Sequence, residues 1–188
     1  MGEYKCAIIG VGQNRSRGLA EAYKHISRGE LVAVSARTEE NRSVFAEQFG
    51  VPAHYADYVE MLEKEKPDLV HVNTPPNVRL EVMEAAESAG VSALIVEKPL
   101  AIQGEDYRDI LNYSMSTNTK IAINHQLHFH PRRAELQDRV ASGEIGEIRF
   151  IEASCGMNLA YQGTHSLQAI GAFHPDPPTS VLGQVIGA

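Results

Sequence analysis

The sequence predicts an α/β fold built on a doubly wound parallel sheet. Five short runs are almost continuously apolar, as strands buried on both faces of a sheet are. The segments between these runs place apolar residues at helical spacing, with polar residues on the opposite face. Strands that alternate with helices in this way favour right-handed crossovers and parallel pairing.

The predicted elements follow one another through the first two-thirds of the chain. The strands are expected at 5–10, 31–35, 69–73, 93–96 and 120–124. The helices between them are expected at 18–27, 39–49, 57–65, 78–89 and 105–117. Their ends carry suitable residues: Asp57 and Glu60 match a capping box, Asn77 is a favourable N-cap, and Gly50 and Gly90 stand where left-handed C-caps occur.

The sequence changes character after residue 124, and we predict a domain boundary there. Residues 125–188 are expected to form a second domain, with a helix at 131–142 and a strand at 147–154. From Ala153 onward the only formally charged residue is Asp176, and the sequence ends on a short apolar run. We therefore expect this second domain to be incomplete.

The composition excludes several classes of protein. The formal net charge is −7 and no stripe of Lys and Arg compensates it, which argues against a nucleic-acid partner. No stretch approaches the roughly 18 consecutive apolar residues of a membrane span. Cys6 and Cys155 are the two cysteines, and no secretory segment is recognisable, so we expect a cytoplasmic protein.

A glycine-containing turn follows the first predicted strand. Gly10 and Gly12 match the first two glycines of G-x-G-x-x-G, where the backbone approaches a dinucleotide diphosphate at a helix N-terminus. Arg15 occupies the third glycine position, so we expect a longer turn before the helix. Asn14 and Arg15 are candidate cofactor contacts. A plain turn with solvated arginines is the alternative.

The end of the second strand bears on the choice of cofactor. An NAD site usually has a carboxylate there, about 20 residues past the glycine turn, to bind the ribose 2′-hydroxyl. Here the segment contains Ser35, Ala36, Arg37 and Thr38, and a guanidinium suits a 2′-phosphate. We therefore expect NADP, with NAD as the second choice. The alternative is that Arg37 packs over adenine or faces water.

Two further segments close the third and fourth predicted strands. Thr74, Pro75 and Asn77 belong to a Thr-Pro-Pro-Asn segment, whose prolines turn the chain at the ligand-binding edge of the sheet. Glu97 and Lys98 close the fourth strand, just before a proline, and both are candidate cofactor contacts. A lysine buried near a cofactor can act as acid, base or hydrogen-bond donor, whereas a strand-end lysine is otherwise a surface charge.

These segments together resemble a known family. Gly-Val-Gly at 10–12, Thr-Pro-Pro-Asn at 74–77 and Glu-Lys-Pro-Leu at 97–100 are similar to the glucose–fructose oxidoreductase / inositol dehydrogenase / MocA (Gfo/Idh/MocA) family. The segments at 130–131, 142–148 and 162–165 extend the resemblance over nearly the whole chain. It implies a Rossmann-type NAD(P)-binding domain at 1–124 and the beginning of an α+β open-sheet domain at 125–188. Family members are much longer, so the resemblance also implies a chain truncated in its substrate and oligomerisation domain.

The resemblance also implies roles for individual residues. Lys98 matches the family lysine that contacts substrate and aids proton transfer, with Glu97 supporting it. His165 matches the family histidine that acts as general acid/base or orients the substrate hydroxyl. Tyr161 and Gln168 stand where many members have acidic residues. Tyr161 is a candidate proton donor in their place, and the alternative is a packing residue.

A group of histidines follows the last predicted strand of the first domain. His125, His128 and His130 form the pattern H-x-x-H-x-H, and imidazole suits zinc. No carboxylate or thiol stands close by in the sequence to complete a metal site. We therefore expect no metal and interpret these histidines as residues that line a substrate cleft.

The residues and the resemblance together indicate an NAD(P)-dependent oxidoreductase. It would transfer hydride between the nicotinamide and a hydroxyl-bearing carbon of a sugar or cyclitol. A non-catalytic dinucleotide-binding sensor is the alternative, because the family includes a transcriptional repressor that binds dinucleotide. An inactive fragment is a third. The expected partners are a small polyol or sugar and, for a full-length parent, further copies of itself, with no nucleic acid and no membrane.

Overall fold

A computed structural model describes residues 3–12, 15–156 and 158–184. The chain divides into two compact units, Met1–Asn124 and His125–Ala188. The elements of the first unit are, in chain order, β1 Tyr4–Ile9, α1 Arg15–Tyr23, β2 Gly29–Ser35, α2 Glu39–Phe49, β3 Ala53–Tyr55, α3 Tyr58–Glu65, β4 Leu69–Val72, α4 Arg79–Ser88, β5 Ala93–Glu97, α5 Gly104–Ser116 and β6 Lys120–Asn124.

The first unit contains a six-stranded parallel sheet in the order β3-β2-β1-β4-β5-β6. The strand order reverses next to β1, because β2 pairs on one side of it and β4 on the other. Ligands of open α/β sheets bind at such a reversal, beyond the carboxyl ends of the strands. The predicted doubly wound parallel sheet is confirmed.

Helices pack on both faces of the sheet. Alternate residues of one strand point to opposite faces, so Ile9 joins the core beneath α3, α4 and α5 while Ile8 joins the core beneath α1 and α2. Val70, Val72 and Val96 pack with Ile9 and are fully buried. Burial on both faces explains why the strands are continuous apolar runs in the sequence.

Most of the predicted ends of helices are present. Gly50 ends α2 with φ +65°, and its N–H donates to the carbonyls of Ala46 and Glu47. Asp57 caps α3 by accepting the N–H of Val59 at 2.8 Å. The expectation for Asn77 was wrong: a 3-10 turn at Pro76–Val78 precedes α4, and Val78 occupies the N-cap position. The two prolines favour this tighter turn, because neither has an N–H to contribute to a helix.

The first helix begins earlier than the sequence indicates. We expected a long turn up to residue 18, but α1 starts at Arg15. Ser16 explains this early start, because its hydroxyl accepts the N–H of Gly12 at 2.9 Å and donates to the carbonyl of Gly12 at 3.1 Å. A buried side chain thereby fastens the first turn of the helix to the glycine turn.

The sequence did not reveal β3, a strand of three residues at the edge of the sheet. Ala53, His54 and Tyr55 carry no apolar run, and they pair with β2 at Ala33–Ser35. A short edge strand depends on its partner for order and therefore leaves little pattern in the sequence.

The second unit contains helices. Its elements are a 3-10 turn at Gln126–Phe129, α6 at Pro131–Ala141, a π-helical turn at Leu159–Gly163 and α7 at Thr164–Phe173. His130 is the N-cap of α6, and its Nδ1 accepts the N–H of Arg132 at 3.2 Å. Gln137 of α6 donates to the carbonyl of Ala172 in α7 at 3.0 Å. Polar side chains thus join the two helices.

The strand expected at 147–154 is absent, and that prediction was wrong. These residues belong to no helix or strand, and Phe150 is 80% exposed. Extended backbone becomes a strand only when a neighbour completes its hydrogen bonds. The described part of this unit has no strand to serve as that neighbour.

No helix within the described ranges has the length and apolar character required to span a membrane.

Candidate functional site

The glycine turn lies where the carboxyl ends of β1, β2 and β4 meet. The N–H groups of Gly10 and Val11 both donate to the carbonyl of Ser35, at 2.9 and 3.2 Å. The side-chain amide of Asn73 donates to the carbonyl of Gly10 at 2.7 Å. Gly10 has φ +94°, and a Cβ placed there would lie 2.8 Å from the backbone oxygen of Asn73. Glycine is therefore required at position 10 by the close approach of the strands.

Gly12 serves a different purpose in the same turn. A Cβ placed on Gly12 would meet nothing within 4 Å, so the backbone there faces open space. Arg17 lines a small cavity next to Gly12, and its Nε is buried with no hydrogen-bond partner among the described residues. Open backbone and an unsatisfied guanidinium at the start of a helix suit an anionic ligand. Asn14, also expected to contact a cofactor, lies outside the described residues.

A cavity of about 590 Å³ opens beside this turn at the carboxyl edge of the sheet. Ribose and adenine are the ligand groups that such a cavity accommodates in folds of this kind. Six of the predicted cofactor residues line it: Gly10, Ser35, Arg37, Thr74, Pro75 and Asn77. Val11, Thr38, Asn41 and Asn73 line it as well.

Two arginines of different function lie at or near the turn that follows β2, and Arg37 is the one that lines the cavity. The side chain of Arg42 pairs with Glu39 and donates to the carbonyls of Ala36 and Arg37, at 3.3 and 3.2 Å. Arg42 therefore shapes the turn after β2 and neutralises Glu39, while Glu81 is the carboxylate that lines the cavity itself. Arg37 is exposed at the rim of the cavity. The hydroxyl of Thr38 does not cap α2, although Thr38 occupies its N-cap position.

Arg79 is a buried arginine behind the Thr-Pro-Pro-Asn segment. Its Nε and Nη2 donate to the carbonyl of Thr74 at 3.2 and 2.9 Å. Its Nη1 and the hydroxyl of Thr74 are buried, and neither has a hydrogen-bond partner in the part of the chain that the structure describes. Burial lowers the pKa of Arg79 to about 10, with Glu97 opposing this shift and Arg15 adding to it.

Glu97 ends β5 and Lys98 follows it, both in a buried position, with 2% and 4% of their surfaces exposed. Glu97 accepts a hydrogen bond from Arg15 at 2.7 Å and another from the side-chain amide of Asn124. The same Nη1 of Arg15 donates to the carbonyl of Lys98 at 3.2 Å. Burial lowers the pKa of the Lys98 ammonium, Arg15 and Arg79 lower it further, and Glu97 opposes them.

The second unit holds the other predicted catalytic residues. His165 is the second residue of α7, and its ring packs edge-on against His125 with the ring centres 5.5 Å apart. Tyr161 lies in the π-helical turn, 42% exposed, and its N–H donates to Oδ1 of Asn158 at 3.0 Å.

Gln168 links two other side chains of the second unit. Its Oε1 accepts a hydrogen bond from Arg133 at 2.7 Å, and its Nε2 lies 2.7 Å from Nδ1 of His128. An amide nitrogen donates, so this Nδ1 accepts and a neutral His128 carries its proton on Nε2. Gln168 stands where the resemblance implies an acidic residue. Its neutral amide orients the imidazole of His128.

The three histidines of the H-x-x-H-x-H pattern have separate contacts. His125 packs against His165, His128 meets Gln168, and His130 caps α6. Within the described residues no group of three or more His, Cys, Asp or Glu is arranged to hold a metal ion.

Sequence reasoning missed several residues that shape this site. Asn73 left a signal, because it is a polar residue at the end of an apolar strand. Arg79 left one too, because a cation in the first turn of a helix opposes the helix dipole. Asn124 left the same signal as Asn73, at the end of the last apolar strand, whereas Arg42 left none, since ordinary polar residues stand at many helix positions.

Comparison with known proteins agrees with this arrangement. A family model described as an oxidoreductase family with an NAD-binding Rossmann fold matches residues 4–125. D-glucoside 3-dehydrogenase of Escherichia coli K12 is 30% identical over 190 residues, which cover 95% of this chain and 54% of that protein. D-xylose 1-dehydrogenase (NADP(+)) 2 of Haloferax volcanii is 25% identical over 133 residues, which cover 71% of this chain and 40% of that protein.

The fold is also similar to that of solved structures. Scyllo-inositol dehydrogenase from Lactobacillus casei, solved with bound cofactor NAD(H) and scyllo-inositol, is 20% identical with a TM-score of 0.76. The match covers 90% of this chain and 56% of that one. The chain thus spans about half the length of the relatives it matches.

Proposed function

This chain belongs to the Gfo/Idh/MocA oxidoreductase family with an NAD-binding Rossmann fold, and from this membership we propose a dehydrogenase. We propose that it uses a nicotinamide dinucleotide to oxidise or reduce a hydroxyl-bearing carbon of a sugar or cyclitol. The observation that carries the proposal is the buried Glu97–Lys98 pair, joined by Arg15 to the start of α1. A lysine held in this way at the ligand-binding edge of a sheet is a candidate for proton transfer.

The residues at this edge fit a dinucleotide. Gly12 leaves the backbone open, Arg17 has an unsatisfied buried Nε, and Thr74 has an unsatisfied buried hydroxyl. Asn14, Gly10, Gly12 and Arg15 are proposed for the diphosphate, and Ser35, Arg37, Thr74, Pro75 and Asn77 for the nucleoside groups. When bound, the cofactor supplies the hydride acceptor or donor.

The side chains of this protein would manage the proton. We assign Nζ of Lys98 to the hydroxyl oxygen of the substrate, as hydrogen-bond donor and proton carrier, with Glu97 holding the lysine in place. As the family resemblance implies, we propose His165 of the second unit as a general acid/base; its ring packs against that of His125. Tyr161 is proposed as a second proton donor, because it is partly exposed on the turn that leads into α7.

We propose NADP as the cofactor and NAD as the second choice. Arg37 offers a guanidinium at the rim of the cavity, Ala36 removes the usual carboxylate, and Arg42 neutralises Glu39. One relative carries NADP(+) in its name and one structural relative holds NAD(H), so relatives use both cofactors.

The remaining proposals concern the whole protein. The relatives named as glucoside and xylose dehydrogenases favour a sugar or polyol substrate. We propose that the full protein assembles with further copies of itself, as the family resemblance implies. We also propose the cytoplasm as its compartment, since Cys6 and Cys155 are both free thiols.

A titration with NADPH and with NADH, followed by the fluorescence of the nicotinamide, tests the cofactor proposal. We expect NADPH to bind at least about tenfold more tightly, which corresponds to roughly 1.4 kcal/mol. Arg37→Gln is expected to remove this preference while leaving NADH affinity unchanged. Arg132→Gln, the same charge change on α6, is the matched control and is expected to keep it. A preference for NADH in the unchanged chain would refute the role of Arg37, and binding of neither would refute the site.

A dinucleotide sensor without turnover is the second candidate function. The observation that favours it is Gln168, a neutral amide held between Arg133 and His128 where a catalytic carboxylate was expected. A panel of polyols and sugars with NADP, tested on the full-length protein, distinguishes the two functions. Formation of NADPH that disappears in Lys98→Met supports the dehydrogenase. Tight dinucleotide binding with no turnover on any member of the panel supports the sensor.

A further inference from the structure

Four charged side chains form a compact cluster at the carboxyl edge of the sheet. Arg15 begins α1, Arg79 begins α4, and Glu97 ends β5 with Lys98 directly after it. Arg79, Glu97 and Lys98 are buried, with 2–4% of their surfaces exposed. Arg15 contacts Glu97 directly, and Arg79 and Lys98 interact with Glu97 electrostatically, so the four side chains together carry two more positive charges than negative ones when all are ionised. Buried charge of one sign calls for a compensating ion or for loss of a proton.

Arg15 is the member of the cluster that contacts both Glu97 and the backbone of Lys98. Its Nη1 donates to Oε2 of Glu97 at 2.7 Å and to the carbonyl of Lys98 at 3.2 Å. Its side chain is 41% exposed, whereas that of Glu97 is 3% exposed. Because Arg15 is also the first residue of α1, its side chain links the N-terminus of that helix to the buried Glu97–Lys98 pair.

The charges that act on Lys98 come from three elements. Arg15 acts from α1 and Arg79 from α4, and both disfavour the ammonium form, while Glu97 on β5 favours it. A dinucleotide diphosphate carries two negative charges and would occupy the N-terminus of α1. Those two charges match the surplus of the cluster and would offset the effect of Arg15.

We propose that Arg15 is a positioning residue that couples dinucleotide binding at the N-terminus of α1 to proton uptake by Lys98. The proposal rests on the proposed dinucleotide site. Without the diphosphate, the excess positive charge of the cluster favours the neutral amine form of Lys98. With the diphosphate, Lys98 takes a proton from solvent and becomes a charged donor for a substrate hydroxyl.

Calorimetry measures the protons taken up when NADPH binds. Titrations at about pH 9, below the ordinary pKa of lysine, are run in two buffers that differ in ionisation enthalpy. The difference in heat gives the number of protons per bound NADPH. We expect net uptake for the unchanged chain, uptake at least about threefold smaller for Arg15→Gln, and none for Lys98→Met. Arg15→Lys keeps the charge and is expected to retain most of the uptake.

The carbon-13 chemical shift of Lys98 Cε, assigned through Lys98→Met, provides a second measurement without bound cofactor. Arg15→Gln is expected to move the titration of this carbon to higher pH, while Lys24→Gln, an exposed lysine changed as a control, leaves it in place. NADPH binding without proton uptake, or equal uptake in Arg15→Gln and the unchanged chain, would overturn this proposal alone. If NADPH does not bind at all, the proposed function fails with it.

Discussion

A partly buried histidine of β4 makes the stability of the first unit sensitive to acid. His71 is mostly shielded from solvent and packs edge-on against the ring of Tyr23, with the ring centres 5.7 Å apart. Burial lowers the pKa of His71 to about 4 from its ordinary value of 6.5. The folded chain therefore holds this imidazole neutral at pH values where the unfolded chain has already protonated it.

The sign and size of the effect follow from proton linkage. Between about pH 4 and pH 6.5 the unfolded state binds more protons at this residue, so the free energy of unfolding rises with pH across that interval. The stabilisation is complete above pH 6.5 and is lost as the pH falls toward 4. Each pKa unit corresponds to 1.36 kcal/mol, so the total is roughly 3 kcal/mol. This is a large fraction of the 5–15 kcal/mol that stabilises a typical domain.

Urea unfolding at pH 7 and at about pH 4, followed by far-ultraviolet circular dichroism, measures this contribution. His71→Phe keeps an aromatic ring beside Tyr23 and removes the ionisable group. We expect the unchanged chain to lose roughly 3 kcal/mol more than His71→Phe between the two pH values. His54→Phe changes an exposed histidine and is expected to behave like the unchanged chain. Equal acid losses in His71→Phe and the unchanged chain would show that the reasoning is wrong.

Three further predictions concern residues that shape the fold. Gly10→Ala is expected to destabilise the chain by about 3 kcal/mol or more, because the new Cβ would meet the oxygen of Asn73 at 2.8 Å and φ is +94°. Gly12→Ala is the control: a Cβ there meets nothing within 4 Å, so the midpoint of urea unfolding should stay unchanged within error. Asp57→Ala removes the cap on the N–H of Val59 and should cost about 1 kcal/mol, which Asp57→Asn should largely restore in thermal melts. Met61→Ala should lower the free energy of unfolding by about 2–5 kcal/mol, because this side chain is fully buried. The exposed Met115→Ala is the control, and an equally small loss of stability in both variants would contradict the expectation.

The candidate site was only partly readable from the sequence. Gly10, Thr74 and Lys98 stand at ends of strands that the apolar runs already mark, so parallel pairing brings them to one edge. Arg79 was not foreseen, because a charged residue is normally expected at the surface. The function of Arg42 was hidden for a similar reason, since its contacts are to backbone carbonyls that no pattern of side chains reveals.

The sequence by itself determined the class of the fold and the order of its elements. Strands buried on both faces must be apolar throughout, and helices on such a sheet must be apolar on one side, so both leave a local pattern. The turns with Gly50 and Asp57 are local in the same sense, because each cap satisfies backbone groups a few residues away.

Only the tertiary structure decided which distant residues meet. Arg15 and Glu97 are 82 positions apart, and His128 and Gln168 are 40 apart. Residues 147–154 have the composition of a strand but no neighbour to pair with among the described residues, so they remain without regular structure. Such outcomes depend on which element packs beside which, and the spacing of residues along one segment carries no record of that choice. The buried charge cluster around Lys98 exists because the sheet brings three separate elements to a single edge.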